Sequence, residues 1–131
     1  MIAFGAGLAW LTLDLARAEQ TTRVAMRQKL GYAQGALEGL TLGRFDLVLT
    51  NTVQLRDFGQ TNAFSATRNV DYLNSATNFS RRVDALIQAA KAENLEGATQ
   101  AYEGVTRSCV ECHKVFRHAQ SLKGQPTAPR K

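Results

Sequence analysis

The chain's two cysteines stand three residues apart, and a histidine follows the second at once: Cys109-Val110-Glu111-Cys112-His113. This is the C-x-x-C-H spacing of covalent haem attachment. Each thiol can form a thioether to one vinyl group of a single porphyrin, and the next residue then sets an imidazole under the iron. On a helix advancing about 100° per residue, Cys112 falls about 60° to one side of Cys109 and His113 about 40° to the other. All three share a face. The second histidine, His118, falls about 180° away and reads as solvated, not as a ligand.

Other thiol chemistries fit less well. A Cys109–Cys112 disulfide is one alternative. Thioredoxin-type redox work needs a preceding strand and a βαβ unit, and no strand pattern exists. A zinc site needs about four ligands, and His118 faces away from the other three.

The sixth position of the iron decides function. Met26 is the one methionine after Met1. A thioether opposite the imidazole gives a low-spin iron of raised potential, suited to electron transfer. Met26 also suits plain core filling. Without it, Leu30, Ala33 and Phe79 would line an apolar pocket open to small gases. No carboxylate lies on the stripe near Met26 and no second inward histidine exists, so acid–base catalysis at the haem is not expected.

The elements that must position these residues are helices. From Thr21 to Leu40, residues Met26, Leu30, Ala33, Leu37 and Leu40 fall on one face, with Gly31, Gln34 and Gly35 turned away. A second helix is expected over Arg44–Gly59, with Phe45, Val48, Leu49, Thr52 and Val53 inward and Gly59 as its C-terminal cap. Gln60–Thr67 has no period and reads as the longest connection. A third helix carries Tyr72, Ala76, Phe79, Val83, Leu86 and Ala90 and ends near Glu93. Asn94 caps the fourth, which runs from Leu95 to about Leu122 with Leu95, Ala98, Tyr102, Val105, Cys109 and Phe116 inward. Four such helices with short turns imply an all-α, antiparallel four-helix bundle with haem attached to the C-terminal helix.

The length of 131 residues, 44% hydrophobic content and 21% charge fit one globular domain. Its expected bounds are 19–123, followed by a flexible tail over 124–131. Residues 1–18 read as a signal peptide: an apolar run from Ile2 to Leu13, too short to span a bilayer, then the small-x-small pattern Ala16-Arg17-Ala18. No basic residue precedes the apolar run. A short uncleaved anchor and a buried first helix are the alternatives. The net charge of +5 favours acidic partners and does not by itself indicate nucleic acid.

A C-terminal Cys109-Val110-Glu111-Cys112-His113-Lys114-Val115-Phe116-Arg117 on a four-helix bundle resembles the cytochrome c′ family and its low-spin, methionine-ligated relatives. The likeness is specific over residues 109–117 and looser around Met26. It implies one covalently bound haem c, with Cys109 and Cys112 attached to it and His113 as proximal iron ligand. It places Arg117 beside the proximal imidazole, where its charge would tune the iron and the propionates. It makes Met26 of the first helix the matching candidate for distal ligand, and it allows a homodimer. The expected function is a periplasmic or otherwise exported one-electron carrier, not an enzyme. Arg107, Lys114 and Lys123 would offer a basic rim to acidic redox partners. The alternative is a five-coordinate binder of nitric oxide or carbon monoxide.

Overall fold

The computed structural model describes residues 5–60 and 70–123, with side chains over 10–60 and 70–121. Four helices follow in order: α1 Gly5–Thr41, α2 Phe45–Gly59, α3 Val70–Lys91 and α4 Leu95–Lys123. They pack as an all-α four-helix bundle, α1 on α2, α2 on α3 and α3 on α4, with a looser contact between α1 and α4. Most of the expected Gln60–Thr67 connection and all of the 124–131 tail lie outside the described residues.

The two short turns make neighbours antiparallel. After Thr41 the chain reverses through Gly43, whose φ of 64° is a left-handed conformation that glycine adopts without a Cβ clash. Gly39 meets Val48 and Gly35 meets Asn51, so the α1–α2 register runs in opposite directions. The second reversal uses Glu93 at φ 52°. Asn94 then caps α4, its side-chain oxygen accepting from the Gly97 amide at 2.9 Å.

One end of the bundle is solidly filled. Leu40, Val48, Leu55, Val83, Leu86, Ile87, Ala90, Ala98 and Val105 form its core. Fully burying a side chain such as Val83 or Leu86 contributes about 1.5–3 kcal/mol. That end lies at the turns near Gly43 and Glu93, and it holds the helices in register for the other end.

Three local expectations fail. The inner face of α1 is set by Ala25, Ala36, Gly39 and Leu40, which are buried. Leu37, expected inside, is 45% exposed. Gly35 and Gly39 let α1 approach α2 closely, and Leu30 and Leu37 turn partly outward. Gly35, expected outside, lies against Asn51. Gly59 is not a left-handed cap either. Gln60 closes α2 with φ −94°, its amide donating to Asp57 and Phe58, and Gly59 lies against the Phe79 ring. Finally, α1 begins at Gly5, well before Thr21. No proline interrupts residues 5–20, and the Glu19–Arg23 ion pair at 2.5 Å adds support one turn apart. The Ala16-Arg17-Ala18 pattern thus lies within a helix, and residues 10–21 are exposed, Trp10 and Leu15 included. Among the described residues, no helix is long and apolar enough to cross a membrane.

Candidate haem cavity

Away from the two turns the bundle opens into a cavity of about 540 Å³. That lies within the roughly 300–1,000 Å³ of cofactor sites. All four helices wall it. α1 supplies Met26, Arg27, Lys29, Leu30 and Ala33, and α2 supplies Leu55 and Gly59. α3 supplies Tyr72, Ser75, Ala76, Phe79 and Ser80, and α4 supplies Ser108, Cys109, Cys112 and His113.

The cavity gathers Met26, Leu30, Phe79, Cys109, Cys112 and His113, six residues spread over 88 positions from Met26 to His113. It does not gather Arg117, which is exposed on α4. His118 is also exposed, as its phase on α4 requires. Leu30 lines the cavity yet is 57% exposed, because the cavity is open on that side. His113 is exposed at the open side of the cavity it lines, and Phe116, 43% exposed, lies outside the lining, so the half-buried stripe of α4 stops at Cys112. Arg107 and Lys114 are exposed, and the Lys123 side chain falls outside the described residues.

Both cysteines are free thiols and half-buried. Burial pushes the Cys109 thiol above its ordinary value, partly offset by the nearby Lys29 ammonium. Among the described residues no cluster of three or more His, Cys, Asp or Glu side chains could hold a bare metal ion. The donor set therefore suits a group that brings its own four nitrogens and needs one imidazole and two thiol anchors. A mostly apolar, four-walled cavity beside those anchors meets the needs of a porphyrin.

Two polar side chains, Ser108 and Arg82, make three contacts beside the cavity. The buried Ser108 hydroxyl donates to the Val105 carbonyl at 2.7 Å, so its polar group is satisfied within α4. Arg82 of α3 donates to the Gly104 carbonyl at 3.0 Å and lies 3.6 Å from the Glu111 carboxylate, between the two cysteines.

Residues 60–117 match the family model of cytochrome c′, a stretch spanning α3 and α4 through Arg117. That stretch, which holds the Cys109–His113 motif, is similar to the cytochrome c′ family. That family carries covalently bound haem c with its iron, and the cavity walls of this chain fit that group. Met26 lies outside the matched stretch. Neither the curated proteins nor the solved structures include a match to the chain.

Sequence reasoning did not find Lys29. Its ammonium lies 3.8 Å from the centroid of the Phe79 ring. The available signal was its position three residues after Met26, on the same side of α1. A lysine there is easily dismissed as solvated, since its long stem can carry the charge outward.

Proposed function

We propose that this c-type cytochrome carries single electrons, with haem held by Cys109 and Cys112, His113 as proximal ligand and Met26 as distal ligand. One observation carries the reading: Met26 from α1 and His113 from α4 line the same cavity, although 87 positions separate them. When bound, the haem supplies a one-electron ferric–ferrous couple. The chain's own residues would fix its orientation through two covalent anchors, surround it with apolar side chains and limit water at the metal. Low reorganisation in such a setting favours electron exchange, and a thioether ligand raises the potential. Arg117, one turn beyond His113, would place a positive charge on the proximal side.

The optical spectrum of the ferric holoprotein tests the reading. Thioether ligation gives a low-spin spectrum with a weak long-wavelength charge-transfer band, and Met26→Ala removes that band. A wild-type spectrum without it rejects methionine ligation.

A second reading has its own observation. Leu30, Ala33 and Phe79 all line the cavity, so an apolar distal wall is present for nitric oxide or carbon monoxide. A high-spin ferrous protein that takes up carbon monoxide without a prior ligand-dissociation step would favour it.

The site of action we infer is the periplasm or another exported location. The apolar Ile2–Leu13 run and the Ala16-Arg17-Ala18 pattern support this, as does attachment chemistry that takes place outside the cytoplasm. The exposed Arg107 and Lys114 support an acidic redox partner.

A further inference from the structure

We propose that Lys29 is a second distal ligand of this site, able to take the sixth position of the iron in place of Met26. The inference rests on the reading that haem fills the cavity, and it names a residue of the same site.

Lys29 and Met26 are three residues apart on α1 and both line the cavity. The Lys29 amine turns inward: it stands over Phe79, a residue that is itself buried in the cavity wall. Both Cys109 and Cys112 lie near enough to act on its charge. A haem anchored on these two thiols would therefore have the amine beside its anchored edge, and a salt bridge to propionates on another edge would fit this placement less well.

Burial lowers the lysine's proton affinity, with the two thiols opposing that effect. A desolvated amine is closer to the neutral form that a metal requires. The exchange balances simply. The amine lone pair forms the Fe–N bond, the ammonium proton goes to solvent, and the Met26 thioether leaves unchanged. No electron moves.

The test compares purified holoproteins of wild type, Met26→Ala, Lys29→Arg and Met26→Ala/Lys29→Arg by optical and electron paramagnetic resonance spectra. Arginine keeps the positive charge and does not ligate. The expected result is that Met26→Ala loses the thioether band yet stays low-spin with two nitrogen axial ligands. The double variant then becomes high-spin and binds carbon monoxide at least tenfold faster. If Met26→Ala is already high-spin and matches the double variant, the Lys29 proposal is overturned while methionine ligation stands. If wild type lacks the thioether band, methionine ligation fails, and Lys29→Arg alone decides. Conversion to high spin supports Lys29, and an unchanged spectrum overturns it. Lys29→Gln serves in place of Lys29→Arg if the arginine variant loses its helical circular dichroism.

Discussion

The Tyr102 hydroxyl of α4 donates to the Ala33 carbonyl of α1 across 2.9 Å, between two helices that otherwise touch little. Ala33 lines the cavity and Tyr102 packs on the core, so this bond ties the filled end of the bundle to the open one. Burial raises the Tyr102 phenol above its ordinary value, which keeps the donor protonated in mildly alkaline solution. Tyr102→Phe removes the bond and keeps the ring. A loss of about 0.5–1.5 kcal/mol is expected. The thermal midpoint should fall by about 2–6 °C. An unchanged midpoint would mean that the bond contributes nothing net.

Arg82 joins α3 to the stretch of α4 that carries Cys109 and Cys112 through two unequal contacts. Its bond to the Gly104 carbonyl is within normal hydrogen-bond distance, whereas its 3.6 Å approach to Glu111 is a half-exposed ion pair. Exposed ion pairs are worth roughly 0–1 kcal/mol, while a bond from a charged donor is worth about 1.5–3 kcal/mol when well formed. Arg82→Met should therefore cost about 1–2 kcal/mol in urea unfolding. Glu111→Gln should cost under about 0.5 kcal/mol. Equal losses would show that the ion pair, not the carbonyl bond, is the stronger link.

Much of this molecule is written in local patterns. The C-x-x-C-H spacing picks out three residues that line the cavity, Asn94 marks the start of α4, and the Phe79–Val83–Leu86–Ala90 stripe marks the buried side of α3. Legibility fails where small residues decide packing. Large apolar residues draw the eye on α1, yet Ala25, Ala36 and Gly39 choose its buried face because they permit close approach. Leu55 was missed on α2 because the apolar residues Val48, Leu49 and Val53 already describe a stripe, and only the α3 partner selects which edge is buried. Lys29 was illegible for another reason. A lysine's burial depends on whether the walls around its stem are closed, and periodicity carries no such information.

Two glycines on α1 should respond to alanine in opposite directions. At Gly39 a Cβ would stand 2.7 Å from the Val48 amide nitrogen and 3.0 Å from the Arg44 carbonyl oxygen, both backbone atoms that cannot swing aside. At Gly31 a Cβ meets nothing within 4 Å. Alanine favours a helix interior over glycine by about 0.5–1 kcal/mol. Gly31→Ala should therefore stabilise by that amount. Gly39→Ala should destabilise by about 1–3 kcal/mol, since forced overpacking exceeds the propensity gain. Paired chemical denaturation measures both. A stabilised Gly39→Ala would show that α1 and α2 can separate without loss.

Cys109 supplies a test in the haem-free protein, where both thiols are present. Burial disfavours its thiolate, so its folded-state value lies above the ordinary 9.0 despite the opposing Lys29 charge. The thiolate is the nucleophile in alkylation. In a Cys112→Ala variant, the rate of carbamidomethylation at Cys109 should accordingly rise with a midpoint above pH 9.0. The linkage has a definite sign. The folded state holds the Cys109 proton more tightly than the unfolded chain does, so this group's contribution is fully present below pH 9.0 and is lost as pH rises through the folded value. Lys29 acts with the opposite sign, because its lowered folded value makes the unfolded chain the better proton binder below 10.5. Thioether formation removes the Cys109 contribution altogether. The alkaline loss should thus be steeper in the haem-free protein than in the holoprotein, and a Cys109 alkylation midpoint at or below pH 9.0 would refute the burial that underlies it.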